Sequence, residues 1–70
     1  MENSVISPSY YQVNPNGCQV IDISETLNFC RGNVVKYVAR AGKKDKTKEL
    51  EDLKKAQWYL NREIERLERL

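Results

Sequence analysis

Seven cations crowd into one short stretch of this chain. Arg31, Lys36, Arg40, Lys43, Lys44, Lys46 and Lys48 stand against Asp45 alone, a local net charge of +6 over residues 31–48. Residues 1–30 carry Glu2, Asp22 and Glu25, net −3, and residues 49–70 set six acids against five bases. The overall +2 is therefore the remainder of a concentrated basic segment. Positive charge focused in this way points to an anionic partner, either nucleotide phosphates or a nucleic-acid backbone. Asn33, Lys36, Arg40, Lys43 and Lys44 recur three or four residues apart, as on one side of a helix. Arg40 offers a planar fork for two phosphate oxygens. Gly32 lets a ligand or a second backbone come close. A solvated basic face completing the helix dipole accounts for Lys43 and Lys44. It does not account for Gly32-Asn33, two weak helix formers inside a helical run. Tyr10 and Tyr11 offer aromatic faces on which any nucleobase can stack, with plain packing as the competing use.

Other chemistries lack their residues. The chain has no histidine, which removes His-based acid–base catalysis, Ser-His-Asp and Cys-His pairs and nearly every transition-metal site. Two cysteines, Cys18 and Cys30, are too few for a disulfide scaffold and read as reduced thiols of a cytoplasmic chain. No apolar run nears the ~18 residues of a membrane span, and Met1-Glu2-Asn3-Ser4 is unlike a signal peptide. Ala41-Gly42-Lys43-Lys44 is only a fragment of a phosphate-binding P-loop. Asp22-x-x-Glu25 and Glu49-x-x-Asp52 are spaced like the acid pairs with which all-α nucleotide pyrophosphohydrolases hold Mg²⁺. Helix capping and first-turn dipole effects account for the same four acids. No catalytic residue, metal ligand or cofactor is assigned.

The elements that must position the basic segment are helical. Residues 1–17 read as an irregular arm punctuated by Ser7-Pro8-Ser9 and Asn14-Pro15-Asn16-Gly17, with Tyr10–Val13 as a strand or a segment crossing the helices. Residues 18–70 read as a small helical domain. Cys18–Ile23 has the β-branched content of a strand. Asp22 and Glu25 have capping-box spacing, which predicts a short helix from about 22 to 28. From Phe29 to Ala41, Cys30, Val34, Tyr37, Val38 and Ala41 form one stripe expected to be buried, ended by Gly42. Lys43–Thr47 is a polar link, with Asp45 or Thr47 capping the third helix. That long helix runs to the end of the chain. On it Leu50, Leu53, Gln57, Leu60, Ile64 and Leu67 alternate three and four apart, longer than two short helices can cover. The expected class is all-α: a short helix, a central basic helix and a long C-terminal helix, assembled into a homo-oligomer through the last.

The block Gly32-Asn33-Val34-Val35-Lys36-Tyr37-Val38-Ala39-Arg40-Ala41-Gly42-Lys43-Lys44 resembles the signature G-N-x-x-K-Y-x-x-R-A-G-K-K of the SaV-like bacteriophage family, a domain of unknown function. Asp52-Leu53-Lys54-Lys55-Ala56-Gln57-Trp58-Tyr59-Leu60 is similar to its D-L-x-K-A-x-x-Y-L element. Pro8-Ser9-Tyr10-Tyr11 resembles its P-x-H-Y opening, with Tyr10 at the usual His. The resemblance covers about residues 7–65. It implies a phage protein acting in an infected bacterial host, oligomerisation and nucleotide handling. The same domain resembles the C-terminal part of a podophage nucleotide kinase that phosphorylates deoxynucleoside monophosphates.

Three functions are expected from these features. The first is a binding protein that holds a nucleotide, or a nucleotide-derived host immune signal, through Tyr10, Tyr11, Gly32, Asn33, Lys36, Tyr37, Arg40, Lys43 and Lys44. Held without turnover, such a signal would be sequestered, as by a sponge against host defence. The second is an enzyme on nucleotides, a kinase or an Mg²⁺-dependent pyrophosphohydrolase. The third is nucleic-acid binding by the basic helix, which has few cations to track a groove and no base-reading pattern.

Overall fold

The structure, a computed structural model, describes residues 9–11 and 17–70. Most of the expected arm, including both proline turns and Gln12-Val13, lies outside the described residues. Three α-helices succeed one another: α1 (Val20–Ser24), α2 (Phe29–Arg40) and α3 (Glu49–Glu68). Single 3₁₀ turns stand at Ser9–Tyr11 and Lys46–Lys48. Among the described residues there is no strand, and no helix is long and apolar enough to cross a membrane. The all-α expectation holds.

The boundaries are corrected in detail. The first helix starts and ends earlier than expected, and its capping box is shifted by three residues. Extended Gln19 is the N-cap, and the Asp22 carboxylate accepts the Gln19 backbone N–H at 2.8 Å. The earlier start places Val20 inside, at 5% exposure, where a helix beginning at Asp22 would leave it in the linker. The Thr26 hydroxyl donates to the Ile23 carbonyl at 2.7 Å and so helps close α1. Asn28 caps α2, its side-chain oxygen accepting the Arg31 N–H at 3.0 Å. This occupies one of the helix's orphan donors. Gly42, at φ +76°, ends α2, as only glycine does without strain. A Cβ there would lie 2.9 Å from Glu49 Cδ, so the turn also packs against the start of α3. Asp45 caps the Lys46–Lys48 turn rather than α3 itself, accepting from Thr47 N at 3.0 Å and Thr47 Oγ1 at 2.7 Å.

α2 and α3 pack along an aromatic seam. Tyr37 stacks on Tyr59 with centroids 5.9 Å apart, and Phe29 meets the Tyr59 edge at 5.8 Å. The buried positions of α3 are Asp52, Ala56 and Glu63. Val20 and Ala56 are the buried apolar residues among those described. The stripe expected to be buried on α2 is only half-buried, and Val38 faces solvent. Most of α3's aliphatic side chains point away from α2. Two carboxylates at the α2–α3 contact take the place that apolar side chains fill in larger domains.

Candidate functional site

The carboxylates divide the α2–α3 contact into two polar clusters. At the N-terminal end of α2, Glu63 is 4% exposed. It accepts hydrogen bonds from Asn28 Nδ2 and Arg31 Nε at 2.8 Å each, and from Arg66 Nε and Nη2 at 3.1 and 3.0 Å. These bonds, from Arg66 first and then Asn28, draw its carboxyl down to about 2. Asn28 thus caps α2 with its oxygen while its nitrogen ties that end to α3. The cluster clamps one helix to the other, with the single carboxylate shared by two arginines that keep about half of their surface in solvent.

The second cluster lies at the C-terminal end of α2. Arg40 donates from Nη2 and Nε to Asp52 Oδ1 at 3.2 and 3.4 Å, and from Nη1 to the Tyr11 hydroxyl at 3.4 Å. The side chains are 16% and 3% exposed respectively for Arg40 and Asp52. Burial alone would lower the Arg40 pKa; the bonds to Tyr11 and Asp52 outweigh it and raise the value. Arg40 also lies over the Tyr37 ring, 4.8 Å from its centroid. Its fork is therefore spent largely on the protein, although each terminal nitrogen keeps a second hydrogen.

Beside this pair is a cleft of about 220 Å³ lined by Arg40, Lys44, Asp45, Lys48, Glu51, Asp52 and Lys55. Glu51 takes Lys55 at 3.3 Å and Lys48 at 3.8 Å, both surface contacts of small energetic weight. Lys44 extends over the Tyr10 ring, 6.0 Å from its centroid. Tyr10 and Tyr11 lie against each other, centroids 4.6 Å apart and planes tilted by 59°. The turn Ser9–Tyr11 thereby brings two aromatic rings against Arg40 and Lys44, two of the four cations that line the cleft together with three carboxylates.

The expected site is brought together only in part. Tyr10, Tyr11, Arg40 and Lys44 converge. Lys43 is exposed and outside the cleft lining. Gly32, Asn33 and Lys36 line a different groove, facing α1. Of the two approaches expected at Gly32, the second backbone is present: a Cβ there would stand 3.1 Å from the Ser24 carbonyl oxygen of α1. Asn33 turns its amide back to the Phe29 carbonyl at 2.8 Å. Tyr37 belongs to the helix seam, with Lys36, Arg40 and Lys55 around its ring. Asp22 serves α1 and Asp52 serves Arg40, and no group of three or more metal-ligating side chains stands among the described residues. Asn28, Lys55 and Glu63 join the clusters without having been expected from the sequence. A helix N-cap was legible at Asn28, the polar residue before an apolar run. For Glu63 the only signal was the series Asp52, Ala56, Tyr59, Glu63, a second stripe at helical spacing with acids at both ends.

Fold and site together define a small three-helix module with a buried arginine–carboxylate pair and a charged cleft beside it, whose Arg40 and Lys44 meet two tyrosines. Residues 5–61 match the family described as a protein of unknown function (DUF3310), and the chain belongs to that family. No curated protein and no solved structure matches it.

Proposed function

We propose that this protein is a nucleotide-binding module whose cleft beside Arg40 and Lys44 takes the phosphates and whose Tyr10 ring receives the base. The observation that carries this reading is the docking of Tyr10 and Tyr11 onto Lys44 and Arg40. Aromatic faces beside ammonium and guanidinium groups are the two halves of nucleotide recognition, one for the base and one for the phosphates. The volume agrees with this division. A cleft of about 220 Å³ is smaller than the ~300–1,000 Å³ of sites that enclose a whole drug-sized ligand. It suits phosphates, with the base outside on the tyrosine. The resemblance to the C-terminal part of a podophage nucleotide kinase points to the same ligand class. A module that holds its ligand without converting it acts stoichiometrically, which fits sequestration of a nucleotide-derived signal by a short phage-encoded chain.

Calorimetry across mono-, di- and cyclic nucleotides, with EDTA and with Mg²⁺, tests the reading. Lys44→Ala should weaken binding by ~1.5–3 kcal/mol, the range for a hydrogen bond to a charged group. Tyr10→Ala should weaken it further for purines than for pyrimidines, following stacking area. EDTA should leave affinity unchanged. Absence of binding by every nucleotide at millimolar concentration refutes the proposal. Binding abolished by EDTA would favour the metal-dependent enzyme instead.

A further inference from the structure

Leu50, Leu53, Leu60, Ile64 and Leu67 are 43 to 64% exposed on α3. They occupy one face, turned roughly 90° about the helix axis from the buried Asp52–Ala56–Glu63 face, at about 100° per residue. We infer that this face is a dimer interface whose occupant is the same face of a second copy, with the two α3 helices antiparallel.

Three observations select that occupant. The first is self-complementarity. The positions 50, 53, 57, 60, 64 and 67 are symmetric about the point between Trp58 and Tyr59. A two-fold axis there sets Leu50 against the partner's Leu67 and Leu53 against the partner's Ile64, closing the stripe on itself as an isologous contact. The same axis sets Gln57 against the partner's Leu60, so the polar interruption meets an apolar side chain directly opposite. The two Gln57 side chains fall in adjoining layers beside the axis, about 4.5 Å apart along the helices at 1.5 Å per residue, so their amides can bond each other.

The second is charge. The basic segment 31–48 ends where α3 begins. Within that segment Arg40, Lys43, Lys44, Lys46 and Lys48 gather at the N-terminal end of α3, while Arg31 lies toward the other end against Glu63. Parallel pairing would bring the two five-cation ends together, whereas antiparallel pairing separates them by about 30 Å, several Debye lengths at physiological salt. On the edge of the stripe away from α2, the same arrangement sets Lys54 between the partner's Asn61 and the partner's Glu68. The third is area. The five aliphatic residues expose on the order of 450 Å² per copy. With Gln57, Asn61 and the stems of Lys54 and Glu68, the exposed surface available to the pair is about 1,200 Å², on the scale of the smallest specific stable interfaces.

Sedimentation equilibrium of the full chain from 1 to 100 µM tests the inference. The expected mass is twice the 8.2 kDa of the chain. A monomer throughout overturns it and leaves the face to an unlike partner. Leu60→Glu with Ile64→Glu should abolish the dimer; retention of the dimer by that variant overturns the assignment. Should that variant lose its helical circular dichroism, Gln57→Leu provides the independent reading. It should tighten dimerisation at least tenfold, and unchanged affinity counts against the interface. A spin label on Glu68→Cys, in a chain carrying Cys18→Ser and Cys30→Ser, should report about 30 Å between copies. A separation near 10 Å would mean parallel helices and overturns the arrangement.

Discussion

Asp52→Ala removes the carboxylate that faces Arg40 and leaves a guanidinium with 16% side-chain exposure beside a cavity. Removing one partner of a buried pair generally costs about 3–5 kcal/mol. Both contacts to Asp52 fall on one oxygen, at 3.2 and 3.4 Å, rather than on two in a fork, which places this pair at about 3 kcal/mol. A 70-residue domain has a total stability of roughly 3.5–10 kcal/mol. Its unfolding entropy, near 2.1 cal/mol/K per residue, converts the loss into about 20 °C of melting temperature. Arg40→Met with Asp52→Leu should recover most of that loss, because apolar replacement of a whole buried pair is close to neutral. Thermal and urea unfolding of the wild type, Arg40→Met, Asp52→Leu and the double variant give the coupling energy directly. A fall below 5 °C for Asp52→Ala, or a double variant no more stable than either single one, would refute the reasoning. The double variant also separates two roles of Arg40, since it should fold and yet bind nucleotide less tightly.

Glu63 makes stability depend on acid. Its carboxyl lies at about 2 when folded against an ordinary value of 4.5. The unfolded chain therefore binds the proton more tightly, so the contribution is complete above about pH 5 and declines as pH falls toward 2. Glu63→Gln should flatten the fall in melting temperature between pH 7 and pH 3; an unchanged slope would count against the network. Gly42→Ala should destabilise by at least about 1 kcal/mol, from the positive φ and the approach to Glu49, read as a lower urea midpoint at constant m.

The helical class, the extent of α2, the stop at Gly42 and the cation series were all legible in the residue order, because each rests on interactions within a few residues. The spacing of Leu50 to Leu67 likewise marked a stripe on one face of α3, which the described residues leave exposed. What the order of residues left open was which of two stripes on α3 meets α2. The leucine stripe has the greater apolar content, yet Ala56 and Tyr59 lie against α2 instead. Small Ala56 lets the helices approach, Tyr37 and Tyr59 stack across the gap, and Asp52 and Glu63 find arginines at the two ends. That choice turned Arg40 inward and Gly32 toward α1, and it split a cation series that looked continuous along the helix. Local spacing determines which side chains share a face. Only packing between helices far apart in sequence decides which face is buried, and with it which charges meet a carboxylate and which, such as Lys44 beside Tyr10, are left at the rim of a cleft.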